Sequence, residues 1–180
     1  MSSAEMLAKM TPHGPQITGE GFGGFQKLTM MDIAGALGMG NLDHAAYLFG
    51  ILKYCGDHQV LGRLDRIIRG HVSYVGRCEG WNLTDAEVCG LARVSLFENL
   101  HSPVCDRCNG SGQVAAKPCD KCHGSGRVPM SNRRRAAIAG IPEATWRRDW
   151  KVRAARCYQI VSPWDAMVSE HLSRQFREVA

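Results

Sequence analysis

Two cysteine pairs are the residues of this chain whose types and spacing most clearly indicate chemistry. Cys105 and Cys108 are separated by two residues, as are Cys119 and Cys122, and residues 109–118 lie between the pairs. Two residues between cysteines allow both thiolates to reach one tetrahedral zinc ion from a tight turn. Each pair is followed by x-Gly, at Gly110 and Gly124, and glycine there permits the positive φ that turns backbone N–H groups toward the sulfur atoms. The spacing predicts one structural zinc ion held by four thiolates.

This metal site is predicted to be structural rather than catalytic or redox-active. A catalytic zinc ion keeps one coordination position open, whereas four thiolates close the site. The sequence contains no His-x-Glu deaminase signature, and no pair of carboxylates flanks the cysteines. It also lacks the βαβ pattern that accompanies a single redox-active Cys-x-x-Cys. His123, next to the fourth cysteine, is expected on the surface, so no catalytic residue is predicted and the protein is not expected to be an enzyme.

The other four cysteines lie in apolar segments and are predicted to be buried thiols of the core; they are Cys55, Cys78, Cys89 and Cys157. Disulfides are not expected, because residues 1–25 lack the cationic start and apolar centre of a signal peptide. The longest apolar runs are also far shorter than the ~20 residues of a membrane helix. The sequence therefore predicts a cytoplasmic protein without membrane contact.

Positive charge is concentrated in one window of the chain. Nine basic residues lie between Arg127 and Arg156, and only Glu143 and Asp149 oppose them. The window therefore carries a net charge of +7. The rest of the chain carries −2, which gives the total net charge of +5. A charge run usually forms a solvated face, but one this asymmetric beside a metal module favours a polyanionic partner.

The basic window has the element order of a helix-turn-helix unit. Ser131 precedes a short predicted helix over residues 132–139, Gly140 to Pro142 break it, and a second helix begins at Glu143. In such a unit the first residues of the second helix enter the major groove, where arginine pairs with guanine. An amphipathic hairpin with a solvated basic face is the alternative.

The predicted DNA-binding residues fall into two sets. Those at the start of the second helix would contact bases; they are Thr145, Arg147, Arg148 and Lys151. Those at the start of the first helix would hold phosphates and set register rather than sequence; they are Arg133, Arg134 and Arg135.

The apolar pattern predicts a mainly α fold with an inserted four-cysteine zinc-finger or zinc-ribbon module and a helix-turn-helix-like C-terminal region. Residues 1–28 are predicted to be a flexible arm, 29–102 a helical body and 103–130 the zinc module. Residues 131–180 are predicted to hold the basic helices and a C-terminal helix that packs on the body.

Local signals set the expected ends of these elements. Thr29–Asp32 and Thr84–Glu87 are capping boxes, and Asn41 is expected to cap the second helix. Pro163 is predicted to begin a separate last helix, with a single helix kinked at this proline as the alternative. The segment between the cysteine pairs is long enough for one short strand, which either pairs with residues 127–129 or doubles back.

The order of these features resembles the Q antitermination proteins of lambdoid phages. The likeness rests on the stretch Met31–Met39, on the two Cys-x2-Cys-x-Gly-Ser-Gly repeats, on the tetrapeptide that begins at Arg127, and on Ile141–Trp146. It runs from about residue 29 to the C-terminus and is most specific across residues 105–150. The insert between the cysteine pairs is shorter here than in the lambda member of the family. Any contact that the insert makes in that member is therefore not carried over to this chain, whereas the zinc site is.

The resemblance implies a specific function. Proteins of this family bind DNA within the phage late promoter and engage host RNA polymerase at a sigma-dependent, promoter-proximal pause. Contacts are implied with the β flap and sigma region 4, and NusA assists. At the RNA exit channel such a protein, close to nascent RNA, would hinder terminator hairpins, so that transcription reads into the late genes. By this resemblance the four cysteines match the zinc ligands, and residues 133–151 match the DNA-reading region.

Two other interpretations of the motifs remain open. The Cys-x-x-Cys-x-Gly-x-Gly repeat also occurs in DnaJ-type co-chaperones, but these have four repeats and a His-Pro-Asp motif, whereas this chain has two repeats and no His-Pro-Asp. A promoter-binding repressor or activator would use zinc and a helix-turn-helix equally well.

Overall fold

The computed structural model describes residues 29–124 and 126–177, and most of them lie in helices. The predicted arm of residues 1–28 lies outside this described part. The elements are α1 (Met30–Gly38), α2 (His44–Cys55), a 3₁₀ turn (His58–Val60), α3 (Leu61–Cys78), α4 (Asp85–His101), β1 (Gln113–Val114), β2 (Lys117–Pro118), α5 (Asn132–Ala139), a helical turn (Glu143–Thr145), a π-helical segment (Trp146–Trp150) and α6 (Lys151–Arg177). The predicted mainly α class is confirmed.

Three helices start where the sequence places their caps. The Thr29 hydroxyl accepts the N–H of Asp32 at 3.2 Å, and the Asp32 carboxylate accepts the N–H of Thr29 at 2.7 Å. Thr84 and Glu87 form the same reciprocal pair at the start of α4. Ser131 caps α5 with its hydroxyl. Each cap satisfies an N–H group that a first helical turn leaves unpaired.

The predicted cap of α2 is wrong. The carboxylate of Asp43, not the side chain of Asn41, accepts the N–H groups of Ala45 and Ala46 at 2.9 and 3.3 Å. A carboxylate at this position also interacts favourably with the positive end of the helix dipole, which an amide does not match. The helix therefore begins two residues later than the sequence signal suggested.

The chain divides into two compact units by its contacts. Of the described residues, 29–64 and 164–177 form one unit, and those within Asp65–Pro163 form the other. The metal module and the basic window both fall in the second unit. These divisions follow contacts rather than the composition changes that define the four predicted segments.

A buried ion pair lies within the first unit. Lys53 is fully buried in α2, and its Nζ lies 2.7 Å from a carboxylate oxygen of Asp165 in α6. The Tyr54 hydroxyl donates to the same carboxylate at 3.1 Å, so this half-buried acceptor has two partners. Phe49 and Trp164 pack beside the pair with ring centroids 6.5 Å apart. The charges compensate each other inside an otherwise apolar core.

In the second unit, α5 packs closely against α4. A Cβ on Gly90 would lie 2.5 Å from the carbonyl oxygen of Ala139, so only glycine permits this approach of the two helices. Ala136, which lies on α5 like Ala139, is also buried. The short basic helix α5 is therefore held against α4.

Pro163 does not begin a separate helix, because α6 runs continuously through it. The predicted break is wrong, and the alternative of one helix describes the structure. Proline removes one backbone hydrogen bond and disfavours a helix interior by ~3 kcal/mol. Buried apolar residues on both sides, including Val161, Val168 and Leu172, hold the helix in place despite this loss.

The four cysteines outside the metal motif differ in burial. Cys157 is fully buried, as predicted, and burial raises the pKa of its thiol to about 12. Cys55 and Cys89 are half-buried, whereas Cys78 is exposed at the end of α3, so the prediction of a core thiol is wrong there. Cys78 follows Arg77 in the last turn of α3, and both are exposed.

Candidate metal centre and nucleic-acid interface

The four predicted ligand cysteines converge on one point. Their sulfur atoms all lie within 4.8 Å of one another, and all four residues are buried. Cys105 Sγ lies 3.9 Å from Cys119 Sγ, and Cys108 Sγ lies 3.7 Å from Cys122 Sγ. A tetrahedral zinc ion with Zn–S bonds of about 2.3 Å places its sulfur ligands about 3.8 Å apart. The cluster therefore fits one tetrahedral, thiolate-bound metal ion.

Backbone N–H groups stabilise negative charge on these sulfurs. The N–H of Gly126 donates to Cys122 Sγ at 3.2 Å. Burial alone raises the pKa of Cys108, but the N–H of Gly112, the neighbouring thiols and the N–H of Gly110 together lower that pKa to about 7. Burial raises the pKa of Cys105 to about 11. A bound cation would favour the thiolate form at all four sites.

The two cysteine repeats are related by an internal two-fold arrangement. The N–H of Cys105 donates to the carbonyl of Gly126 at 2.9 Å, and the N–H of Cys119 donates to the carbonyl of Gly112 at 2.8 Å. Equivalent glycines take nearly the same φ, +75° at Gly112 and +72° at Gly126. Each repeat therefore closes on the backbone of the other, and neither forms its half of the site alone.

The second glycine of each repeat lies against the opposite repeat. A Cβ on Gly112 would lie 2.3 Å from the carbonyl oxygen of Gly124, and one on Gly126 would lie 2.3 Å from that of Gly110. Any larger residue at these positions would separate the two turns. The sequence predicted a role for the first glycine after each pair, whereas this close approach requires the second.

Two exposed ion pairs repeat the same symmetry. Asp106 pairs with Lys121 at 2.6 Å, and Arg107 pairs with Asp120 at 2.9 Å. Each pair joins the second residue of one Cys-x-x-Cys to the third residue of the other. The repeated acid–base order in Cys-Asp-Arg-Cys and Cys-Asp-Lys-Cys was a sequence signal for this cross-pairing.

The segment between the cysteine pairs doubles back on itself. Strands β1 and β2 pair antiparallel, with Val114 opposite Lys117, through a turn at Ala115 and Ala116. Both alanines have positive φ, +49° and +63°, a region that costs a non-glycine residue about 1–2 kcal/mol. Arg127 instead forms an isolated bridge with Val104. Of the two predicted pairings, the hairpin is the one that forms.

Glu98 joins the end of the metal module to the basic helix. This buried carboxylate of α4 accepts from the Nε of Arg135 at 2.9 Å and from the N–H of Met130 at 3.4 Å, and Arg135 Nη2 also contacts it. Arg127 Nη1 donates to the carbonyl of Ser102 at 3.0 Å. The chain that leaves the metal module is thereby fixed to α4. No sequence motif marks Glu98, which lies in the otherwise largely buried helix α4.

Arg135 has a different environment from the other predicted phosphate contacts. Its guanidinium is held by Glu98 and is about one-fifth exposed, so it is committed to an internal ion pair. Arg133 and Arg134 are exposed, and the Arg134 guanidinium lies over the ring of Phe97, 5.2 Å from its centroid. These two arginines remain accessible to phosphates.

The predicted base-contacting residues lie on or next to the π-helical segment. Arg147, Arg148 and Lys151 are exposed, and Thr145 is half-buried. Arg147 pairs with Glu143 at 2.6 Å, and Arg148 pairs with its neighbour Asp149. Exposed ion pairs of this kind contribute about 0–1 kcal/mol, so a phosphate or a guanine edge can compete for both guanidinium groups.

Two tryptophans anchor this segment. Trp146 and Trp150 are buried, and the N–H of Lys151 bonds to the carbonyl of Trp146, five residues back. The sequence pattern predicted an uninterrupted α-helix here, and the π turn corrects it. One extra residue per turn shifts the angular positions of the exposed arginines around the helix. The Arg153 guanidinium packs between Trp81 and Trp150, with centroid distances of 5.6 and 5.1 Å.

Comparison of the chain with protein-family models, with curated proteins and with solved structures finds no match. Within residues 29–124 and 126–177, none of the helices combines the length and apolar character needed to cross a bilayer.

Proposed function

We propose that this protein is a transcription antiterminator that binds duplex DNA through the basic hairpin of residues 131–151. The observation that carries the DNA-binding part is the exposed group of Arg147, Arg148 and Lys151 at the start of a helix. That helix is anchored by buried Trp146 and Trp150. Fixed cations at such a position have the chemistry required to contact base edges in a major groove.

The remaining cations of the hairpin supply backbone contacts. Arg133 and Arg134 are exposed on the first turn of α5 and bind phosphates on either side of the base contacts. Arg135 positions α5 through Glu98 instead of touching DNA. This division of roles requires α5 and the segment after it to meet the duplex together, as in a helix-turn-helix unit.

The metal ion, which we propose to be a single zinc ion, has a structural role. The sulfur atoms of four buried cysteines lie within 4.8 Å of one another, and four thiolates on one zinc ion would leave no open position for water or substrate. The ion therefore holds the two repeats together, and their exit segment is fixed to α4 through Glu98 and Arg135. The protein has no catalytic activity in this proposal.

The antitermination part of the proposal comes from the resemblance to the Q proteins of lambdoid phages. The protein would bind at a late promoter, engage paused host RNA polymerase at the β flap and sigma region 4, and travel with it, assisted by NusA. It would then oppose terminator hairpins at the RNA exit channel, close to nascent RNA. Its place of action would be the cytoplasm of the bacterial host.

Base contacts can be tested on a duplex site selected from random sequences by the intact protein. Replacing Arg148 by alanine should weaken binding to that site by about 1–3 kcal/mol if the residue pairs bidentately with a base. Arg174 is a matched control, because it is an exposed arginine of α6 paired with Glu170 and lies outside the hairpin. An unchanged affinity for Arg148→Ala, Arg147→Ala and Lys151→Ala alike would place DNA recognition elsewhere.

A promoter-binding repressor or activator is the second candidate, because the same hairpin would serve it. In vitro transcription separates the two on a template with the selected site in the promoter region and a terminator downstream. An antiterminator raises the fraction of transcripts that pass the terminator without changing the number initiated. If initiation changes while readthrough does not, the protein is a repressor or activator.

A further inference from the structure

Helix α3 carries a second basic surface, separate from the metal centre and the basic hairpin. Within the unit of residues 65–163, one side of α3 packs into the core, where Ile68 and Val72 are fully buried. The opposite side spans about 140° of the helix at 100° per residue and contains no aliphatic side chain. We call it the α3 face; its residues are Arg66, Arg69, Gly70, Ser73, Tyr74 and Arg77.

Positive charge dominates the α3 face. Arg66 and Arg77 are exposed, and neither forms an ion pair with any residue in the described part of the chain. Arg69 pairs with Asp65 at 2.7 Å, but both side chains are substantially exposed, 47% and 31%, so this pair is weak. All three guanidinium groups are therefore available to an anionic ligand.

The α3 face borders a groove of about 340 Å³. Arg66, Arg69, Gly70 and Ser73 form one wall, and Asp85 and Val88 of α4 complete the lining. A Cβ on Gly70 would meet no atom within 4 Å, so packing does not require glycine, although glycine destabilises a helix interior relative to alanine. Its lack of a side chain leaves the middle of the groove open to the backbone of a ligand.

An exposed aromatic side chain completes the surface. Tyr74 is 61% exposed on the same side of α3 as the arginines. Arginines on phosphates combined with an aromatic ring that stacks on bases are the recurrent elements of single-strand binding. A duplex hides its base faces inside the stack, and the groove is too small to admit one. An unpaired base and its sugar-phosphate link match the groove better.

We propose that the α3 face binds single-stranded nucleic acid, with Arg66, Arg69 and Arg77 on phosphates and Tyr74 stacked on an unpaired base. This function is additional to duplex binding by the basic hairpin and does not depend on it. RNA and unwound DNA share the backbone and the base faces that the surface contacts, so both are tested as sources of the strand.

The test measures fluorescence anisotropy of labelled twelve-nucleotide oligouridine and oligothymidine with the full chain over a range of salt concentrations. The variant Arg66→Ala/Arg69→Ala should reduce the slope of log affinity against log salt by about 1.4, because each lost phosphate contact on a single strand contributes about 0.7. Tyr74→Ala should weaken binding about tenfold, whereas Tyr74→Phe should retain the affinity. Tighter binding of oligouridine would identify RNA as the strand, and equal binding would identify single strands of both kinds.

The matched control is Arg147→Ala/Arg148→Ala, which removes the same charge from the hairpin. It should abolish binding to the selected duplex and leave oligonucleotide binding intact, whereas Arg66→Ala/Arg69→Ala should do the reverse. Thermal unfolding checks that each variant is folded. Because these side chains are exposed, we expect their replacement to leave the fold intact. The proposal is overturned if both double variants weaken oligonucleotide binding equally, if Arg66→Ala/Arg69→Ala has no effect, or if polyglutamate competes as well as an unlabelled oligonucleotide.

Discussion

The ion pair between Glu98 and Arg135 offers the sharpest test of how the basic hairpin is held. Replacing Glu98 by alanine leaves the Arg135 guanidinium, about one-fifth exposed, without its partner, and also removes the acceptor of the Met130 N–H. Removing one member of a buried pair typically costs about 3 kcal/mol. In a chain of this size that loss lowers Tm by roughly 6–12 °C.

The assay is thermal and urea unfolding of Glu98→Ala, Arg135→Ala and the double variant. A double-mutant cycle should give a coupling energy of more than about 1 kcal/mol, because each single variant leaves a partly buried charge that the double variant removes. Glu98→Gln keeps an oxygen for the Met130 N–H but removes the negative charge, so its loss should be intermediate. Binding to the selected duplex should fall with stability, since Arg135 positions α5.

The matched control is the exposed pair of Glu143 and Arg147, whose side chains are 36% and 66% exposed. Glu143→Ala should change the free energy of unfolding by less than about 0.5 kcal/mol. If Glu98→Ala costs no more than Glu143→Ala, the pair does not fix the hairpin, and the reasoning from burial is refuted.

Three further outcomes are expected. Gly126→Ala should weaken metal retention against a chelator, because its Cβ would lie 2.3 Å from the Gly110 carbonyl oxygen at a φ of +72°, whereas Gly35→Ala, with no atom within 4 Å, should not. Cys78 should react rapidly with a thiol reagent in the native protein, and buried Cys157 only on unfolding. Burial raises the pKa of Cys157 from 9.0 to about 12, so between these pH values its thiol stays protonated in the folded protein but ionises in the unfolded chain. The free energy of unfolding should therefore fall as pH rises from 9.0 to about 12.

Each of these outcomes has a contrary result. Equal metal retention in the two glycine variants would mean that the repeats do not approach as closely as the backbone indicates. Mass-spectrometric detection of labelled native Cys157 at the rate of Cys78 would contradict its burial. Replacing Cys157 by alanine should remove its share of the stability loss between pH 9 and about 12; an unchanged pH dependence would contradict the raised pKa.

Several signals confined to a few neighbouring residues were readable from the sequence, although the cap at Asn41 was not one of them. The capping boxes at Thr29 and Thr84 place their partners within one helical turn, so local geometry decides them. The four cysteines that cluster were identified for the same reason, since each pair occupies one tight turn. Neither case required knowledge of distant contacts.

Features set by distant contacts were not readable. Pro163 resembles a helix start, but buried residues on both sides hold α6 continuous. Arg135 looks like its neighbours Arg133 and Arg134, yet Glu98, 37 residues earlier in the chain, makes it internal. The π-helical segment begins and ends at buried tryptophans, Trp146 and Trp150, which periodicity predicts only as an apolar stripe of an α-helix.

We expect a bound metal ion to hold the module that supports the basic hairpin, through which we propose the protein binds DNA. The most direct measurement is the affinity of the full chain for its selected duplex before chelation, after chelation and after zinc is returned. Structural metal sites contribute their binding energy to folding, so we expect specific binding to be lost with the metal and restored by one equivalent of zinc. Undiminished binding by metal-free protein would contradict it.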